Sequence, residues 1–349
     1  MLVLESKETT AGTLNNFHYS ETFELEDKRK LAKLDIAYHT WGKLNDSADN
    51  VIWICHALTA NSNAADWWLG MIGPGLVFDT NKYFVVCANF PGSCYGSTGP
   101  VSINPETDQP YYHQFPSITI RDMIKAFQLV REHLGVRKIH SLVGGSMGGY
   151  QALEWVLMEP EIIDQLVLLA TSARESAWGI AIHTAQRLAI EADTTWSEPS
   201  EDSGKKGLIA ARAFGVVTYR NYHSYGSSQT DPDFDKLDDY KASSYIKYQG
   251  NKLANRFNAF SYYTLTKSMD SHNIARKRGE KVEAVLQQIN QKTIVIGIKS
   301  DMLCPINEQE YLAAHIPHAS FFQIDSAYGH DGFLVETKQI TNILKSFIN

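Results

Sequence analysis

The sequence predicts an α/β protein: a doubly wound, mostly parallel sheet with a helical cap insertion. Between about residues 20 and 172, short apolar runs of the buried-strand type alternate with helical patterns. A small-residue turn, Gly144-Gly145-Ser146-Met147-Gly148, joins one of these runs to a helix-forming segment. From Thr171 to Asn290 no useful β-type run occurs, and the pattern is helical.

The elements follow in order. His18 to Glu26 and Leu31 to His39 are expected as an early antiparallel pair. Val51-Ile52-Trp53-Ile54 and Phe84-Val85-Val86 are continuous apolar runs, as strands buried on both faces require. Ile120 to Leu134 is an amphipathic helix, and Lys138 to Val143 is the strand that enters the turn. Gly149 to Leu157 continues as helix, and Ile163 to Ala170 is the next strand. Helices are expected at 177–192, 205–221, 243–275 and 280–289, with a polar stretch at 222–239. Lys292 to Ile298 and Ser320 to Ile324 complete the sheet. The domain reading is a core of residues 1–172 with 291–349, and a cap (lid) of 173–290. A cap on that side excludes water and shapes a pocket; dimerisation is its alternative or additional role.

Strand, Gly-x-Ser-x-Gly turn and helix make up the nucleophile elbow of α/β-hydrolases. A serine alcohol is a weak nucleophile until a base takes its proton. The elbow therefore predicts an acid and a histidine later in the chain, in that order. Asp301 follows the strand ending at Ile298, and His330 lies in the loop after Ile324. Asp301 would orient the ring and His330 would shuttle the proton to and from Ser146. Taken singly, an Asp at a strand end is usually a cap, and a His in a Gly-rich loop is usually solvated. Order and placement together favour the triad. Asp325 competes for the acid role, but it follows the last strand instead of the one before it. The turn after the first buried strand, His56-Ala57-Leu58-Thr59, assigns the Leu58 N–H as one oxyanion donor. The Met147 N–H is the other.

Composition agrees with an enzyme. The chain has 349 residues, 44% hydrophobic and 20% charged, as in ordinary globular proteins. A net charge of −7 argues against a broad nucleic-acid surface. Cys55, Cys87, Cys94 and Cys304 lack CxxC spacing and read as free thiols; Cys94 reads as a packing residue. The N-terminus has no secretory pattern, and no run approaches the ~20 apolar residues of a membrane helix. The expectation is a cytoplasmic protein with no membrane partner and no metal site.

The chain resembles the homoserine O-acetyltransferase family, the acyl-CoA-dependent branch of this fold used in methionine synthesis. The resemblance lies in His56-Ala57-Leu58-Thr59, Asp66-Trp67-Trp68 through Gly73-Pro74-Gly75, Cys94 to Pro100 with Ser102 to Pro105, and Phe115-Pro116 with Thr119 to Asp122. It continues in Gly144 to Gly149 with Gln151 to Trp155, Tyr248-Gln249-Gly250, and Gly329 to Glu336. It implies a ping-pong acyl-serine mechanism with acetyl-CoA as co-substrate, no bound cofactor, L-homoserine as acceptor and a homodimer through the cap. It also implies a cap arginine for the acceptor carboxylate, which Arg212 matches.

Arg212 sits in an otherwise apolar run, Leu208 to Val217, where an unpaired charge is costly. A guanidinium grips a carboxylate with two parallel bonds. An exposed or internally paired helix arginine is the alternative, and Arg220 is a second candidate. Tyr219 is seven residues on and shares the Arg212 face. Asp331 would take the ammonium, or else caps its loop. The chain departs from the family pattern at Ala60-Asn61-Ser62-Asn63, at Pro91-Gly92-Ser93 and at Tyr150, where methionine is common. Those positions leave open acetyl against succinyl as the donor group, and homoserine against serine as acceptor. An esterase or thioesterase using the same triad is the remaining alternative.

Overall fold

The computed structural model describes residues 11–348. The apolar runs form the middle of an eight-stranded sheet. Its strands are β1 (Thr13–Tyr19), β2 (Leu34–Trp41), β3 (Val51–Cys55), β4 (Phe84–Ala88), β5 (Ile139–Gly145), β6 (Ile163–Leu169), β7 (Lys292–Ile298) and β8 (Ala319–Ile324). Their spatial order is β1-β2-β4-β3-β5-β6-β7-β8. β2 runs antiparallel to both β1 and β4, and every later pair is parallel. An early antiparallel pair is present, in the register Phe17 opposite Ile36, but its first strand is Thr13–Tyr19 and not 18–26; past Tyr19, only Phe23–Glu24 of the latter is extended, paired with Lys30–Leu31.

Helices cover both faces. α1 (Ile120–His133) and α2 (Met147–Met158) pack on one, where the fully buried Trp53 meets Trp155 edge-on with ring centroids 4.9 Å apart. Burying a side chain of this size contributes on the order of 2–3 kcal/mol. α1 begins in a capping box: Thr119 accepts from the Asp122 N–H and the Asp122 carboxylate accepts from the Thr119 N–H. On the opposite face, Ile340, Leu344 and Ile348 of the C-terminal helix (Thr337–Ile348) pack against β-strand residues such as Val143 and Ile294.

Between β6 and β7 the chain leaves the sheet to build the cap. Its helices are α3 (Ala177–Glu191), α4 (Lys205–Tyr219), α5 (Tyr222–Gln229), α6 (Lys241–Ala254) and α7 (Ala259–Asp270). Three expectations need correction. The helix expected at 243–275 is two helices, because residues 255–258 break it and the Asn258 side chain caps the second by accepting from the Ser261 N–H. The polar stretch at 222–239 contains α5, which has no buried residue and therefore no apolar periodicity to read. The segment at 280–289 is helical only over Val282–Leu286. Among the described residues no helix is long and apolar enough to cross a membrane.

Candidate active site

Ser146 terminates β5 and opens α2 in a strained conformation, φ 54° and ψ −125°. Such a backbone costs on the order of 1–3 kcal/mol and persists only where the surroundings hold it. The holding contacts are specific. A Cβ at Gly144 would lie 2.2 Å from the Gly148 carbonyl oxygen, and one at Gly148 would lie 2.0 Å from that of Cys55. The turn is tight enough to require glycine at both positions. Ser146 is anchored through its own backbone: its N–H donates to the Leu169 carbonyl (2.9 Å), and its carbonyl accepts from the Thr171 hydroxyl (2.8 Å).

The side chains named from the sequence converge. The Ser146 hydroxyl donates to His330 Nε2 at 2.8 Å. His330 Nδ1 donates to Asp301 Oδ2 at 2.6 Å. Asp301 Oδ1 accepts from the N–H groups of Leu303 (2.8 Å) and Cys304 (2.9 Å), which fixes the carboxylate in its plane. All three side chains are buried. Burial by itself would lower the His330 pKa, but the Asp301 charge and hydrogen bond outweigh it, so the ring titrates above its ordinary 6.5. Asp325 is exposed, and its recorded hydrogen bonds run through its backbone to Gln339. It does not reach the imidazole.

Met147 occupies the first turn of α2, where a backbone N–H has no partner within the helix. The contact of Gly148 with the end of β3 brings the turn containing Leu58 against this helix start. Neither the Leu58 nor the Met147 N–H has a recorded acceptor among the described residues. His56, just before Leu58, stacks on Phe90 with centroids 4.4 Å apart. Burial pushes it down to about 4, so it is neutral and is no competing base. Cys94 is pushed up to about 11 by burial and is an unreactive thiol at neutral pH.

The cap supplies a polar wall. Arg212 lies over the Tyr219 ring, 5.3 Å from its centroid, and that ring lies 6.0 Å from the His330 ring. Arg212 Nε is buried without a hydrogen-bond partner, as are both amide atoms of Gln186 and the Tyr262 hydroxyl. Gln186 is the residue the sequence reasoning missed. It sits four residues after Ile182 and four before Ile190, both buried, so helical spacing alone placed a polar group on the buried face. Asp331 adjoins the site, but its carboxylate is already engaged: Arg220 Nε lies 3.4 Å from Oδ2. Tyr150, the departure noted beside the elbow, is fully buried and donates to Glu175 Oε2 at 3.1 Å.

Residues 50–337 match the family model described as the alpha/beta hydrolase fold. Homoserine O-acetyltransferase of Cyclobacterium marinum is 46% identical over 97% of this chain and 96% of its own. The crystal structure of homoserine O-acetyltransferase from Bacillus anthracis superposes with a TM-score of 0.90 at 24% identity, covering 97% of this chain and 98% of that one. The crystal structure of esterase E22 does so with a TM-score of 0.89 at 20% identity, covering 97% and 100%. At those identities the structural matches establish the fold, while the sequence relative establishes the family. The chain belongs to the homoserine O-acetyltransferase family of the α/β-hydrolase fold.

Proposed function

We propose that this protein transfers the acetyl group of acetyl-CoA to the hydroxyl of L-homoserine, by way of an acetyl-Ser146 intermediate, as a step toward methionine. His330 Nε2 removes the Ser146 proton as Oγ attacks the thioester carbonyl carbon. The resulting oxyanion is met by the Leu58 and Met147 N–H groups; one such donor is worth about 3–4 kcal/mol in related sites. The C–S bond breaks, His330 gives its proton to the CoA sulfur, and CoA departs. The acceptor hydroxyl then loses its proton to His330 and attacks the same carbonyl. Collapse returns the proton to Ser146 and releases the O-acetyl amino acid.

The observation that carries this reading over hydrolysis is the polar wall. A simple ester needs no buried guanidinium, whereas a zwitterionic acceptor needs a cation for its carboxylate. Arg212 is buried in part, short of a partner at Nε and aligned through Tyr219 with the imidazole. Gln186 and Tyr262 offer further hydrogen bonds beside it. Asp331 provides the negative end for the ammonium, sharing its carboxylate with Arg220.

Product analysis with acetyl-CoA and succinyl-CoA against homoserine and serine tests the assignment. CoA release that depends on homoserine and yields O-acetylhomoserine is expected. Consumption of acetyl-CoA at the same rate without homoserine would make the protein a hydrolase. Arg212→Ala should lower kcat/KM for homoserine roughly 100-fold, the value of a charged two-bond contact, and leave Ser146 acylation within about twofold. Equal losses in both half-reactions would remove Arg212 from carboxylate recognition.

The cap also carries exposed apolar side chains. Phe234 and Leu237 are 96% and 93% exposed, and Phe214, Val217 and Tyr222 lie exposed on or beside α4 and α5. Apolar surface of this kind supports a homodimer through the cap. Sedimentation equilibrium should return the mass of two chains, and Phe234→Asp with Leu237→Asp should return that of one.

A further inference from the structure

Gly329, His330 and Asp331 form a single 3-10 turn. Gly329 adopts φ +61°, and a Cβ there would lie 2.6 Å from the Tyr219 carbonyl oxygen and 3.1 Å from the backbone of Arg220 and Asn221. The turn holding the imidazole therefore rests on the α4–α5 junction of the cap. Arg220 is the residue that ends α4. Its guanidinium carbon lies 5.7 Å from the centroid of the Tyr328 ring, and its Nε lies 3.4 Å from Asp331 Oδ2. The two contacts fall on opposite sides of His330 in the chain. Arg220 and Asp331 are 26% and 21% exposed, so neither contact is strong alone. Their convergence on one short turn is what matters.

We propose that Arg220 is a positioning residue for His330: by holding Tyr328 and Asp331 it fixes the turn between them, and with it the reach of the imidazole to Ser146, before any acceptor arrives. This rests on the acyl-serine reading above. It gives Asp331 a second role, as an anchor needed during acylation as well as a site for the ammonium. Displacing a reacting group by about 1 Å costs on the order of 100-fold, so a modest loosening of this turn is felt in the rate.

The charges facing His330 make the role separable from simple structural support. Asp301 faces it from the loop after β7, Asp331 from its own turn and Glu175 from the segment before α3. Tyr219 faces it from α4, with Arg212 behind that ring and Arg220 behind Asp331. Removing Arg220 leaves the Asp331 charge unopposed, which stabilises the imidazolium and raises its pKa. Removing the Asp331 charge lowers it.

The test is acetylation of Ser146 by p-nitrophenyl acetate without homoserine, read as the nitrophenol burst across pH. Arg220→Met should slow the burst about tenfold and move its acid limb to higher pH. Asp331→Asn should also slow it, but move the limb to lower pH. The double variant should be no slower than the slower single one, since both break the same contact. Arg220→Lys should recover most of the rate; with Asp331→Asn it keeps the test available if Arg220→Met unfolds. Parent rates and an unmoved limb in Arg220→Met and Asp331→Asn would overturn the positioning role. A parent protein with no burst at all would instead overturn the acyl-serine reading beneath it.

Discussion

Ser146→Ala should abolish the acetyl-enzyme and reduce turnover roughly 10⁶-fold, the scale seen when a triad member is lost from a serine hydrolase. No neighbouring group is placed to take over. The Thr171 hydroxyl is committed to the Ser146 carbonyl, and the Ser172 hydroxyl donates to the Arg174 carbonyl. Cys304 lies close to the triad, but burial raises its thiol well above the usual range, so it supplies no thiolate. The Ser146 backbone, not its hydroxyl, carries the contacts that hold the elbow, so the variant should fold normally. Intact mass after incubation with acetyl-CoA and steady-state CoA release are the two measurements. A residual rate near that of the parent would remove Ser146 as nucleophile.

Asp301→Asn should cost about 10⁴-fold in kcat, through the tautomer it imposes. Asp301 Oδ1 accepts from two backbone N–H groups, at Leu303 and Cys304, while Oδ2 accepts from His330 Nδ1. An asparagine keeps the two amides satisfied only by turning its carbonyl oxygen toward them. Its NH₂ then faces Nδ1, which must become an acceptor. The imidazole proton moves to Nε2, where it faces Ser146 and blocks deprotonation. Shape and burial hardly change, so thermal stability should fall little while the rate collapses. Asp325→Asn, at the exposed competitor position, should behave as the parent; a collapse there with Asp301→Asn active would reverse the assignment.

The triad was legible because its order along the chain is tied to strand order, and each member follows a strand. Asp301 could be separated from Asp325 on that ground alone, before any distance was known. Arg212 stood out for another reason: it is a charge inside an apolar helical run, and its Nε is buried without a hydrogen-bond partner. What escaped notice was set by contacts distant in sequence. The grip of Arg220 on Asp331 joins the cap to the last loop of the core, and no local pattern announces it. The break at 255–258 contains neither Gly nor Pro; its marks are two asparagines, Asn255 ending the first helix and Asn258 capping the second. α5 escaped because all its faces meet solvent to some degree, so its periodicity is silent.

The cap's place in the chain has a consequence for biogenesis. β6 and β7 are neighbours in the sheet, yet the whole cap is synthesised between them. A chain emerging from the ribosome completes the elbow first and then holds β6 as an open sheet edge while all the cap helices are made. Long-range pairing of this kind is slow, and an unpaired apolar edge invites association with other chains. Asp301 and His330 arrive only with the last part of the chain. Until then Ser146 lacks the two side chains it is linked to in the fold, and by the time they are made β7 is available to close the β6 edge.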